Sequence, residues 1–224
     1  METILFDLDG TLIDHFTTIH RSVAHAQRML GLPESDYATV RATVGGSVPI
    51  TLGKLLGDEN VEAALPIFRD YFDGIIFEDA FALPGAGWLL KSLKARGHQM
   101  AVFTNKFGDH SRAVLRHLGL DASLDVIVGT GDTPFRKPEP QFTAHMLELM
   151  ETTSDETILI GDSPFDFAAA EAGCLRCYLV ATGSHTQAEL AETTDAAGIY
   201  EDLYALAQDV FQLTPPTTSN ASAR

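Results

Sequence analysis

Thr3-Ile4-Leu5-Phe6-Asp7-Leu8-Asp9-Gly10-Thr11 is a short apolar run that ends in two acids and a glycine. Its β-branched and apolar residues from Thr3 to Leu8 predict a buried central strand of a parallel sheet. Side chains alternate along a strand, so Asp7 and Asp9 project towards the same side where it ends, and Gly10 lets the chain turn sharply away. In open α/β sheets ligands bind in the crevice beyond the carboxyl ends of strands, which is where this pair falls. Two neighbouring carboxylates with no basic residue beside them in sequence repel each other and call for a bound cation, a shared proton or a nearby lysine. Alone, the run reads equally well as a strand end followed by an acidic turn.

The rest of the chain supplies a frame for that strand. Ile19, Val23, Ala26 and Leu30 recur at helical spacing, and Gly31 with Pro33 stops the helix. Ser35 is expected to cap a second helix through about Val44, the Gly45-Gly46 pair to break it, Ser47 with Pro49 to start a third through Leu56, and Asn60 to cap a fourth carrying Ile67, Tyr71 and Ile75. From Pro84 onward helix and strand alternate, the signature of a doubly wound parallel sheet. Strands are expected near 99–104, 124–128, 157–160 and 176–180, and helices near 86–96, 109–118, 139–150 and 165–172, with Gly97, Gly119 and Gly173 as caps. A last helix is expected over 201–211. The prediction is an α/β, mostly parallel, Rossmann-like core formed by residues 1–14 and 82–213. Residues 15–81 form a helical cap inserted into it, and residues 214–224 a disordered tail.

Composition narrows the function. The chain has 224 residues, 45% of them hydrophobic, enough for one sizeable core plus a small insertion. No apolar run approaches the roughly 18 residues that span a bilayer, and Met1 leads straight into a strand, so no membrane association is expected and a cytoplasmic location is the default. A formal net charge of −16 argues against nucleic acid as partner. It also means that an anionic ligand must be bound by local cations, since surface charges are screened beyond a Debye length of about 8 Å. Cys174 and Cys177 lack the further ligands of a zinc site and are expected to be buried free thiols. His20, His25, His110 and His117 are expected at helix surfaces or boundaries.

Four separated motifs, in order, resemble those of the haloacid dehalogenase superfamily, in its phosphatase branch with a small helical cap. They are Asp7-Leu8-Asp9-Gly10-Thr11, Val102-Phe103-Thr104-Asn105, Arg136-Lys137-Pro138 and Gly161-Asp162-Ser163-Pro164-Phe165-Asp166. Pro84-Gly85, Thr104-Asn105-Lys106 and the stretch from Ala168 to Gly173 are similar to phosphoglycolate phosphatases. The resemblance spans roughly residues 1–210.

The resemblance implies a phosphomonoesterase for a small phosphorylated metabolite, with phosphoglycolate the leading candidate. Asp7 would be the nucleophile that forms an aspartyl-phosphate, and Asp9 the general acid and then base. Mg²⁺ would be held by the Asp7 carboxylate, the Asp9 main-chain carbonyl and Asp162, with Asp166 binding a metal-bound water or fixing Lys137. Thr104 and the Asn105 main-chain amide would hold phosphoryl oxygens, and Lys137 would neutralise charge. In the cap, Gly45 and Gly46 could present amides over the site, and Arg41 is the nearest cation for a substrate carboxylate. His15 stands where family members usually carry a small polar residue, and His185 lies in a loop beyond a strand. A β-phosphoglucomutase-like phosphoryl transfer, a pyrophosphatase and a catalytically silent binding module remain alternatives, and the chain is expected as a monomer or homodimer.

Overall fold

The computed structural model describes residues 2–216. Strand β1 (Thr3–Phe6) is central in a six-stranded sheet with β4 (Gln99–Phe107), β5 (Val126–Thr130), β6 (Thr157–Gly161), β7 (Arg176–Val180) and β8 (Gly198–Tyr200). The order is β5-β4-β1-β6-β7-β8 and every pairing is parallel. Period-two alternation sorts β1 between two buried layers. Ile4 and Phe6 pack with residues of α5 (Ala86–Ala95), α6 (Gly108–His117) and α10 (Leu203–Phe211). Leu5 packs on the other face with residues of α7 (Pro140–Leu149), α8 (Pro164–Ala172) and α9 (Gln187–Thr193). Both faces of the sheet are therefore covered, as the near-continuous apolar strands require.

The cap comprises α1 (Phe16–Met29), α2 (Tyr37–Thr43), α3 (Val48–Leu56) and α4 (Val61–Ile75) around its own core of Val23, Val40, Leu52, Phe68 and Phe72. The two chain crossings pair as a short antiparallel ribbon, β2 (Ile13–Asp14) with β3 (Phe81–Ala82), where only connecting chain was expected. Two residues per strand are too few for periodicity to register. Among the described residues no helix is long and apolar enough to cross a membrane.

Several local expectations change. The second helix is capped by Asp36, whose carboxylate accepts from the Thr39 amide, while the Ser35 hydroxyl accepts from Gln27. Asn60 makes no side-chain cap and donates to the Leu56 carbonyl instead. Asp202 caps the last helix, which starts at Leu203. β4 continues to Phe107 because a register shift lets Phe107 pair with Thr130, and β5 correspondingly runs 126–130. Helix α9 and strand β8 were not foreseen. After α8 the left-handed residue is Cys174 (φ 54°) and not Gly173, and this turns the Cys174 side chain out to solvent, so only Cys177 is a buried thiol. Of the expected tail, 214–216 carry no regular structure and 217–224 lie outside the described residues.

Candidate active site

The carboxyl ends of β1, β4 and β6 converge with the loop before α7, bringing together Asp7, Asp9, Thr104, Asn105, Lys137, Asp162 and Asp166. All but Asp9 are buried. Gly10, at φ 87°, makes the convergence possible, because a Cβ there would stand 2.6 Å from Asp162 Oδ2.

Lys137 is the hub. Its ammonium, 1% exposed, donates to Asp7 Oδ1 at 2.7 Å and to Asp166 Oδ1 at 2.6 Å. Asn105 holds the lysine's backbone from both sides: Oδ1 accepts from the Lys137 amide at 2.8 Å, and Nδ2 donates to the Lys137 carbonyl at 3.1 Å. The same Nδ2 donates to the Gly45 carbonyl at 3.1 Å, tying the cap to the site. The sequence reading assigned Asn105 through its main-chain amide; its side chain is what the structure engages. Asp166 sits in the first turn of α8, where the helix dipole favours a carboxylate. Its Oδ2 accepts from Ser163 Oγ at 2.6 Å, the Ser163 amide at 3.1 Å and the Asp162 amide at 3.2 Å. That oxygen is saturated, so of the two roles expected for Asp166 the geometry matches the fixing of Lys137.

Asp162 accepts from the Thr11 hydroxyl at 3.3 Å and from the Ser184 amide at 3.2 Å. The loop read through His185 thus reaches the site by Ser184, while His185 Nδ1 pairs with the Ser184 hydroxyl. Thr104 is buried, with its hydroxyl accepting from the Lys106 amide at 3.2 Å.

The electrostatics of this cluster are those of too much negative charge in too dry a place. Carboxylate oxygens of Asp7, Asp162 and Asp166 lie within 4.8 Å of one another, three buried acids facing one ammonium. Burial pushes the Asp7 carboxyl up to about 6, with Lys137 opposing and Asp166 reinforcing the rise. Burial, then Asp166 and Asp7, hold Asp162 well above the usual carboxylate range. Burial pulls the Lys137 ammonium down, but Asp166 and Asp7 outweigh it and keep the group cationic. An all-oxygen donor set with uncompensated negative charge fits a hard divalent cation.

Three residues depart from the sequence reading or escaped it. Lys106, quoted only within a motif, donates to both oxygens of Asp9 at 3.1 and 3.0 Å. His15 is fully buried under the cap, its Nε2 donating to the Ile76 carbonyl at 2.9 Å and its Nδ1 4.0 Å from Asp9 Oδ1 without a hydrogen-bond partner. Arg41 is not free to meet a substrate carboxylate: its guanidinium donates to the carbonyls of Gly183 and Thr182, both at 3.1 Å, latching α2 to the core. Gly45 faces Phe165 of α8, and Gly46 lines the cavity between cap and core. Distances within the chain, between segments remote in sequence, decide these three cases, and no single local pattern carries them.

A family model for haloacid dehalogenase-like hydrolases matches residues 4–180. The chain belongs to that family. Among relatives of this hydrolase, a phosphoglycolate phosphatase of Aquifex aeolicus is 31% identical over 173 residues, covering 76% of this chain and 80% of that protein. Phosphoglycolate phosphatase 1 of Pseudomonas aeruginosa is 27% identical over 228 residues, 96% of this chain and 83% of its own length. The crystal structure of a predicted phosphatase from Clostridium acetobutylicum superposes with a TM-score of 0.87 at 27% identity, covering 95% of this chain and 99% of that one. The haloacid dehalogenase-like fold and the phosphoglycolate phosphatase-like branch expected from the four motifs are thereby established.

Proposed function

We propose that this hydrolase is a Mg²⁺-dependent phosphatase that cleaves the phosphomonoester of a small metabolite through an aspartyl-phosphate on Asp7. The observation that carries the reading is the Lys137 ammonium bonded to both Asp7 and Asp166 inside a buried cluster with surplus negative charge. Asp7 attacks phosphorus as an ionised carboxylate, a nucleophile that needs no base to activate it. Lys137 orients it and offsets charge on the incoming phosphoryl group. The Thr104 hydroxyl and the Asn105 main-chain amide take phosphoryl oxygens, leaving the Asn105 side chain to keep Lys137 in place. Asp9 donates a proton to the departing alkoxide and then removes one from the water that hydrolyses the acyl phosphate, a task worth roughly 10²–10⁴ in rate. The Asp7 carboxylate, the Asp9 main-chain carbonyl and Asp162 would hold Mg²⁺, which when bound neutralises the acidic cluster and polarises the phosphoryl group.

Phosphoglycolate is the first candidate substrate, since relatives that align along most of the chain carry that name. The test is phosphate release from a panel of phosphorylated metabolites, pyrophosphate and an aryl phosphate, with Mg²⁺ and with chelator, for the wild type and Asp7→Asn. Release that needs metal and collapses in the variant is expected. Activity of Asp7→Asn within tenfold of wild type, in a sample free of carryover, would end the covalent mechanism, and indifference to chelator would end the metal assignment.

A further inference from the structure

Arg41, on the cap helix α2, meets the acidic cluster through one peptide group. Its Nε donates to the Gly183 carbonyl at 3.1 Å, and the amide of that same peptide unit, the Ser184 N–H, donates to Asp162 Oδ2 at 3.2 Å. The peptide is trans, so its carbonyl and amide point in opposite directions, with the guanidinium on one side and the Asp162 carboxylate on the other. A donor on the carbonyl polarises the peptide and strengthens its N–H as a donor in turn. The cation thus acts on the carboxylate without touching it.

The segment that carries this peptide, residues 181–186, links β7 to α9. Thr182 Oγ1 donates to the Gly10 carbonyl at 2.6 Å, and the backbone packs so closely on Asp162 that a Cβ at Gly183 would overlap Oδ2. The loop therefore bears on Asp162 and on the residue that follows Asp9. Arg41 Nη2 donates to the Thr182 carbonyl at 3.1 Å, so the guanidinium spans two consecutive carbonyls, a task suited to its rigid fork. Phe16, buried at the start of α1, supports it, with the Arg41 Cζ 5.1 Å from the ring centre. Among the described residues the Asp162 carboxylate accepts two hydrogen bonds, from the Thr11 hydroxyl at 3.3 Å and from the Ser184 amide at 3.2 Å. Both are at the long end of the usual range, so the loss of one leaves the carboxylate's orientation to the other.

We infer that Arg41 is a positioning residue for the Asp162 carboxylate, acting through the Gly183–Ser184 peptide, so that docking of α2 on the core and occupation of the metal site favour each other. This rests on the Mg²⁺ assignment in the proposed function. With α2 docked, the peptide is held and Asp162 is aimed. With α2 released, the loop keeps its Thr182 anchor, but the Ser184 N–H loses the contact that orients it. Such coupling is reciprocal: the factor by which docking raises metal affinity is the factor by which metal favours docking.

The test is calorimetric titration of Mg²⁺ into the wild type, Arg41→Met and Asp73→Ala. Asp73, on α4, holds the cap to the core through His110 of α6 at 2.6 Å, a contact that does not involve the 181–186 loop. Arg41→Met is expected to bind Mg²⁺ at least fivefold more weakly, and Asp73→Ala within twofold of wild type. Hydrogen exchange gives the reciprocal reading. Saturating Mg²⁺ should slow exchange of the Ser184 amide and of α2 in the wild type and in Asp73→Ala, but not in Arg41→Met. Circular dichroism checks the fold. Should Arg41→Met not fold, Arg41→Lys, which keeps the charge but replaces the fork with one ammonium, takes its place with the same expectation. Equal affinity in the wild type and the Arg41 variant overturns the inference alone, and so does an equal loss in Asp73→Ala, because loosening the cap by any route would then suffice. A wild type that binds no Mg²⁺ overturns the metal reading and the inference with it.

Discussion

Lys106 Nζ stands 3.1 and 3.0 Å from the two carboxylate oxygens of Asp9, and the same ammonium lies 5.0 Å from the centre of the Phe72 ring in the cap. The side chains are 6% and 12% exposed, so water does little to screen the pair. The Asp9 carboxylate is therefore held by the core, and the ammonium that holds it is roofed by the cap.

Replacing Lys106 with Met should release Asp9 while keeping the stem that packs under Phe72. Turnover of an alkyl phosphate should fall, by less than the roughly 10²–10⁴ expected for Asp9→Asn, which removes the proton donor itself. An aryl phosphate, whose leaving group needs less protonation, should suffer less in both variants. In Asp9→Asn the aspartyl-phosphate should accumulate, because its hydrolysis has lost the base, and mass spectrometry of the quenched reaction detects it. Wild-type kinetics in Lys106→Met would reduce the pair to a structural salt bridge.

Asp162→Asn should weaken Mg²⁺ binding by at least tenfold, since a neutral oxygen replaces an anionic one beside the remaining acids. Excess metal should restore part of the activity. Calorimetric titration of Mg²⁺ into both proteins gives the comparison independently of turnover, and equal affinities would remove Asp162 from the metal site.

Arg41→Met should loosen the cap without changing what it selects. Two hydrogen bonds to the Thr182 and Gly183 carbonyls are lost, each worth about 0.5–1.5 kcal/mol net, so the docking of α2 on the core weakens roughly 5- to 150-fold. KM should rise by a similar factor for every substrate. Gly45→Leu should act alike, because Gly45 has φ 136° and a Cβ there would come 3.1 Å from Phe165. A loss confined to carboxylate-bearing substrates in Arg41→Met would restore the role that the sequence suggested for this residue.

His15 predicts a pH dependence of stability. Burial first, and the nearby Lys106 charge second, push its imidazole down to about 2, against an ordinary value near 6.5. Below pH 6.5 the unfolded chain takes up a proton that the folded protein refuses, so this residue makes stability fall as pH falls, by at most about 1.4 kcal/mol per pH unit, and contributes nothing above 6.5. His15→Phe should flatten the slope between pH 6.5 and 5 while costing about 1–3 kcal/mol at every pH for the Ile76 carbonyl it leaves unpaired. Urea melts of both proteins at pH 7.5 and 5.5 measure the difference, and parallel slopes would sink the assignment.

The sequence by itself determined five of the sheet's six strands, the insertion and the acidic residues of the candidate site. Thr3 to Leu8 reads as a strand buried on both faces, though the structure ends it at Phe6 so that Asp7 and Asp9 follow it, and the helix–strand rhythm after Pro84 predicts the parallel neighbours that are found. These are local properties, written in spacing and in glycine and proline positions. The tertiary structure alone decided the pairings of charge: that Lys106 takes Asp9 and that Arg41 spends its donors on core carbonyls. Each depends on a distance between segments 60 or more residues apart, or on which neighbours reach a donor first, and charge carries no periodicity that reveals its partner. The β2–β3 ribbon went unread for the opposite reason, being too short for any pattern, and becomes a sheet only because the cap's two crossings must leave the core side by side.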